Sequence, residues 1–532
     1  SWLRKLVDAA PELARVSLGT SPERREIWMV IASQQGASTP EALRAYGKPT
    51  LFAQAGIHAG EIDGKDAGMM LLRDLTVRGN LSDLLREANF LFVPIFNVDG
   101  HERFTRFNRM NQRGPEESGW RVNARRLNLN RDYSKLDTPE MRALVTALNR
   151  WEPDLYLDLH VTDGLDYQYD ITFGYNGAHA FSPKIAGWLD RYLAPAVNHD
   201  LREWGHTPGP LIFPTDLKDP ENGLILWTGD IRFSNGYGDA RHLPTVLVEN
   251  HSLKRYDQRV LATYIFLESA LRTLGRQGDR LRKAIESDRS RKAARVPLDW
   301  QIAADAADWL NILGVESRRH PSPISGGERV EWTGIPAVLG YPYQKQTEPS
   351  ITVDRPIAYW IPPAWNDVIE RLEIHGVRFE RISEPREIAV EMYRIRETVL
   401  ETAPFEGHVR VTGTPHLEKF RRIFPPGSVR VPTSQPLGIL AMLLLEPAAP
   451  DSFFQWGFFH QILQRTEYAE AYVMEPMAER MLAGDEALRA EFEEKLREDA
   501  EFAADPDARL LWFYQRSPYF DTEWLLYPVA RE

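Results

Sequence analysis

The chain has 532 residues, of which 43% are apolar and 26% charged. That is ordinary globular composition, which excludes a disordered or fibrous protein, and at roughly one domain per 150 residues the length suggests three or four domains. Its 64 basic and 76 acidic residues leave a net charge of −12, which argues against a protein that grips nucleic-acid phosphates. Because cysteine is absent, disulfides, thiolate nucleophiles, iron–sulfur clusters and Cys-ligated zinc are excluded, and any metal must sit on His, Asp and Glu.

Residues 2–13 read as an amphipathic helix with no signal peptide visible ahead of it. The short apolar runs at 26–32 (EIWMVIA) and 50–55 (TLFAQA) read as strands, and residues 61–77 follow as a helix. Another strand is expected at 89–96, weakened by Pro94. A helix over 141–150 leads into a strand over 154–160, and a helix over 182–197 precedes a last strand at 244–249 and a last helix at 259–272. This alternation predicts an α/β domain with a mostly parallel sheet covered on both faces. Residues 276–295 are dense in charge and read as a surface helix or linker. Beyond them the pattern becomes Pro-rich, with short apolar segments that suggest a β-rich accessory domain, and residues from 454 onward look helical. The longest apolar run, 437–445, is half of what a bilayer requires, so no membrane span is expected. The expected location is periplasmic or secreted rather than cytoplasmic.

Several standard motifs are missing. There is no GxSxG elbow, no GxxxxGK[ST] phosphate loop, no GxGxxG fingerprint and no HExxH, so nucleotide binding and serine hydrolysis lack support. What remains is a set of polar residues at strand ends. His58 and Glu61 stand three apart in a turn bracketed by Gly56, Gly60 and Gly64, where an imidazole and a carboxylate can converge on one ion. The same Hxx[DE] spacing recurs at His160 and Asp163; either pair alone is as readily a capped polar pair. Position adds weight, because His58 and His160 each follow a strand, and in an open α/β sheet ligands gather outside the carboxyl ends of strands. A His₂Glu set leaves a coordination position for water. Glu249 ends a third strand and can serve as a proton acceptor there. Residues 121–132 hold four arginines, which suits an anion site or a solvated basic loop.

Taken in order, these pieces resemble the zinc carboxypeptidase family. The resemblance covers residues 2–273 and runs through His58 and Glu61, then Asn97-Val98-Asp99-Gly100, then Asn130-Arg131, His160 and Glu249. It implies an αβα sandwich with a central mixed eight-stranded sheet, placed at residues 1–290, and the change of pattern beyond it gives a β-rich accessory domain at 291–436 and a mainly helical region at 437–532. It further implies one zinc ion held by His58, Glu61 and His160, with Glu249 as general base for a metal-activated water. Asn130 and Arg131 match the pair that binds a substrate's C-terminal carboxylate. Arg113 matches the arginine that stabilises the oxyanion, with Arg109 as the alternative, and Tyr237 matches a mobile substrate-binding tyrosine. Asn128 stands where the family commonly has an aspartate behind a zinc histidine, so Asp158 or Asp132 is expected to substitute in part. The implied activity is that of a metallocarboxypeptidase, a zinc peptidase removing C-terminal residues from peptides that carry a free carboxylate. The alternatives are a zinc amidase or deacylase acting on acyl-amino acids or peptidoglycan stem peptides, and a non-catalytic binding protein. The side-chain pocket is not readable, although the aromatic segment 167–175 either borders it or forms a core strand.

Overall fold

Near-continuous apolar runs give the central strands two buried faces, and a sheet buried on both faces needs a helical layer on each. The computed structural model, which describes residues 2–162, 165–216, 220–303 and 308–532, builds that arrangement. The strands in chain order are β1 (Leu13–Thr20), β2 (Glu26–Ala32), β3 (Thr50–Ala55), β4 (Asn89–Val93), β5 (Leu155–Val161), β6 (Ile171–Gly174), β7 (Pro208–Pro210), β8 (Phe213–Pro214), β9 (Leu224–Leu226) and β10 (Thr245–Asn250). Eight of them form one sheet in the order β1-β2-β4-β3-β5-β10-β6-β7. The central strands β4, β3, β5 and β10 run parallel, whereas β1, β2 and β4 pair antiparallel at one side and β6 joins β10 antiparallel at the other. The sheet is therefore mixed.

Adjacent residues on these strands feed opposite layers. Leu51, Ala53, Leu155 and Leu157 pack beneath the helices Asp63–Leu75 and Tyr256–Ser290, whereas Phe52 and Tyr156 face the helix Pro139–Trp151. Strand β4 stops at Val93 because Pro94 cannot donate to the ladder. The expected last helix and the charged stretch after it form one 35-residue helix, Tyr256–Ser290. Its buried residues thin out toward the C-terminal end as charge rises, so the sequence reads there as surface.

The second half is β-rich and then helical. Strands Arg295–Ile302, Asp308–Pro321 and Glu328–Asp354 form a five-stranded sheet that also takes in β8 and β9. Leu224 on β9 pairs with Tyr343 on the Glu328–Asp354 strand, so this second sheet reaches the site through residues 213–226. A separate six-stranded sheet follows. The apolar run that seemed short for a membrane is the helix Gly438–Leu445, buried at every position. It packs in the same core cluster as the Phe52 face of the first sheet, together with Tyr359, Ile369 and Trp456. Among the described residues no helix is long and apolar enough to cross a membrane.

Candidate metal centre

The parallel strands β3, β5 and β10 are neighbours in the sheet, so their carboxyl ends open into one crevice. His58 and Glu61 lie in the turn after β3, His160 is on β5, and Glu249 on β10 stands in register with His160. Register partners on parallel strands project to the same side of the sheet, and both residues line a cleft of about 570 Å³ that also contains His58, Glu61, Arg121, Asn130 and Arg131.

The donor atoms of His58, Glu61 and His160 lie within 4.8 Å of one another, and all three residues are buried. His58 Nδ1 is 3.0 Å from Glu61 Oε1, and His160 Nδ1 is 3.1 Å from Glu61 Oε2. An oxygen stands beyond each ring: His58 Nε2 lies 3.0 Å from Asn128 Oδ1, and His160 Nε2 lies 2.9 Å from Asp158 Oδ2 without the geometry of a hydrogen bond. Asn128 Oδ1 also accepts from the Asn130 N–H, which fixes the amide orientation and makes His58 Nε2 the protonated nitrogen. His58 Nδ1 therefore turns a lone pair inward, the tautomer that a metal ligand needs. Burial pushes the His58 pKa down to about 4, so this ring is neutral at neutral pH. The buried His58 Nδ1 makes no hydrogen bond of good geometry despite its closeness to Glu61. Two neutral or anionic acceptors facing each other in this way suit a cation between them. The three residues can thus hold one metal ion, and two nitrogens with one oxygen match zinc.

Compensating charge surrounds the carboxylate. Burial alone would raise the Glu61 pKa, but His58 and Arg109 hold it well below the usual carboxylate range. Arg109 Nη2 is 3.0 Å and Arg121 Nη1 3.5 Å from Glu61 Oε1, and the Val161 N–H donates to Oε2 at 3.1 Å. Arg109 reaches this position because Gly60 has no side chain; a Cβ there would lie 2.4 Å from Arg109 Cγ. Arg109 itself has a φ of 55°, a conformation uncommon outside glycine and asparagine.

Asn130 and Arg131 sit on the short turn Leu129–Arg131. The Asn130 side-chain oxygen is buried and has no hydrogen-bond partner among the described residues. The Arg131 guanidinium lies over the Phe233 ring, 4.4 Å from its centre, and donates to the Asn130 carbonyl at 2.7 Å. Burial lowers its pKa to about 10, so it remains cationic at neutral pH. The opposite wall of the cleft is apolar and aromatic, with Tyr167, Ile212, Phe213, Ile225, Trp227 and Phe233. Phe213, Trp227 and Phe233 meet edge to face in a continuous row.

Residues 1–204 match the family model described as zinc carboxypeptidase. The chain is 24% identical over 429 residues to carboxypeptidase 2 of Trichophyton rubrum, spanning 77% of this chain and 74% of that protein. A probable carboxypeptidase 2 of Arthroderma benhamiae is 23% identical over 423 residues, spanning 76% and 74%. The solved structure of a metallo-carboxypeptidase from Burkholderia cenocepacia aligns with 51% of this chain and 67% of that one, at 16% identity and a TM-score of 0.36.

Not every residue expected at the site is brought to the cleft. Arg113 is exposed and does not line it. Its backbone N–H donates to the Ser252 carbonyl, and its own carbonyl accepts from Arg259 Nη1. Of the two arginines expected at the oxyanion, Arg109 is the one beside Glu61. Arg121, noted only as part of a basic run, lines the cleft instead. Tyr237 lies in the core on the fully buried helix Ser234–Ala240, its hydroxyl 2.9 Å from His375 Nδ1 and accepting from Arg241. Tyr167, from the aromatic segment, is the tyrosine that borders the cleft, stacked on His251 at 4.2 Å. Asp158 does stand behind His160, whereas Asp132 accepts from Lys135 and Thr138 and does not support His58. Asp163 lies outside the described residues.

Arg259 is fully buried, paired with Asp63 at 3.2 Å, and donates to the carbonyls of Arg113, Gly114, Ser252 and Lys254. It ties the loop after β10 to the 109–114 loop. We expect Arg259→Leu to cost about 3–5 kcal/mol by leaving the buried Asp63 carboxyl and four backbone carbonyls without their partner, measured as a lowered urea midpoint at unchanged slope.

Proposed function

We propose that this chain is a zinc-dependent hydrolase that removes C-terminal residues from peptides. The single arrangement that carries this reading is one cleft in which His58, Glu61 and His160 converge, Glu249 stands in register beside His160, and Asn130-Arg131 supply a carboxylate grip. His58, Glu61 and His160 are the proposed metal ligands. A zinc ion held there supplies a Lewis acid for the scissile carbonyl and lowers the pKa of water. Glu249 takes a proton from the attacking water and delivers it to the leaving amine nitrogen. The Arg131 guanidinium and the Asn130 amide hold the terminal carboxylate, so that the last peptide bond is presented to Glu249. Arg121, partly exposed in the cleft, faces the carbonyl oxygen as charge develops on it, a role the sequence suggested for Arg113 or Arg109. The row of Phe213, Trp227 and Phe233 favours an apolar side chain at the substrate terminus over a charged one.

Metal analysis of the purified chain, with chelator treatment and zinc restoration on a blocked dipeptide ending in phenylalanine, tests the reading. We expect one zinc per chain and activity that follows zinc content. Hydrolysis of acyl-amino acids or peptidoglycan stem peptides in preference to dipeptides would redirect the assignment to an amidase. A chain that binds zinc and turns over none of these is a binding protein.

A further inference from the structure

Residues 405–408 of the far half come up behind the site, against the residues that support His58. Residues 405–408 form a two-residue hairpin turn in which Phe405 and His408 exchange both backbone hydrogen bonds, at 2.8 and 3.0 Å. The two central residues, Glu406 and Gly407, have φ of 48° and 86°. Positive φ at both positions defines a turn type that strongly favours Asn-Gly or Asp-Gly, because a longer side chain with a Cβ is strained there. Glutamate is an unfavourable residue for the first of these positions.

What the glutamate does is visible at its tip. Glu406 Oε2 accepts from the Asn128 backbone N–H at 2.7 Å. The Asn128 side-chain oxygen in turn faces His58 Nε2 and accepts from the Asn130 N–H. One carboxylate from 278 residues away therefore holds the residue that orients His58 and sets the start of the Asn130-Arg131 turn. The tip is anchored on both sides: His408 Nε2 lies 2.7 Å from Asp137 Oδ2, and Phe405 stacks on Trp456. The Glu406 charge is also near enough to Arg131 to favour its cationic form. We infer that Glu406, presented by a strained turn of the C-terminal half, is a positioning residue that braces Asn128 and through it both His58 and the carboxylate grip.

This inference rests on the site reading above, and its test separates the two. Three full-length chains are compared, wild type, Glu406→Asn and Glu406→Gln, for zinc affinity by chelator competition, for kcat and KM on a free-carboxylate dipeptide, and for melting temperature. Asparagine suits the turn but is too short to reach Asn128, so Glu406→Asn melts at or above the wild-type temperature. It nevertheless binds zinc about tenfold more weakly, as loss of an outer support does, with a matching rise in KM. Glutamine keeps an acceptor oxygen at full reach and stays within about twofold of wild type, since its carbonyl replaces the carboxylate oxygen in the bond. A Glu406→Asn chain with wild-type zinc affinity and KM, beside a wild type that binds zinc, overturns the brace alone; so does a Glu406→Gln chain as impaired as Glu406→Asn. A wild type that binds no zinc overturns the site reading and the brace with it.

Discussion

Glu249→Gln is expected to retain one zinc per chain and lose about 10²–10⁴-fold in kcat, the range that positioned acid–base catalysis contributes. The substitution is nearly isosteric and leaves the His58, Glu61 and His160 donors in place. An amide oxygen cannot accept a proton from water at neutral pH, so the transfer step is lost while the cleft keeps its shape. In the proposed mechanism Glu249 holds the proton and not the carboxylate terminus, so KM should change little and the loss should fall on kcat. The decisive measurement is zinc content and kcat on the same preparation. Turnover at the wild-type rate with zinc bound would remove Glu249 from the mechanism, and zinc lost along with activity would make it a contributor to the metal centre instead.

The second large effect is expected at Arg131. Its guanidinium fork matches a carboxylate bidentately, and two charge-assisted hydrogen bonds at about 1.5–3 kcal/mol each support a loss of about 10²–10⁴-fold in kcat/KM for Arg131→Ala. The loss should appear on peptides with a free terminal carboxylate and be nearly absent on their amidated counterparts, which give the fork nothing to bind. Arg131→Lys keeps the charge but not the fork and should fall between the two. The contact of Arg131 with the Phe233 ring makes a small stability change of under about 1 kcal/mol part of the expectation. An equal loss on free and amidated substrates would place Arg131 in the scaffold and not in recognition.

The residues that the sequence located well share a physical origin. His58, His160 and Glu249 follow or end short apolar strands, and the rule that strand carboxyl ends face the crevice needs only the strand boundaries and the parallel order. Thr50–Ala55 and Glu26–Ala32 were readable to the residue because the first lies between Pro49 and Gly56 and the second between polar Arg25 and Ser33. Arg113 and Tyr237 depend on information of another kind. Arg113 lies in a loop whose course is set by Arg259 donating to its carbonyl from 146 residues away. Tyr237 lies on a short helix whose buried faces are decided by His375, 138 residues later. No local periodicity encodes either partner.

The row of strand ends was written in hydrophobic patterning, since alternation and run length act over a few neighbouring residues, and the resemblance in motif order singled out His58, Glu61, His160 and Glu249 along it. Which arginine turns toward Glu61, which tyrosine borders the cleft, and that Glu406 reaches Asn128 were settled only when distant segments packed together. Loop positions and buried polar partners are chosen by the close packing of the whole molecule and the requirement that every buried polar group find a partner, and those constraints exist only in three dimensions.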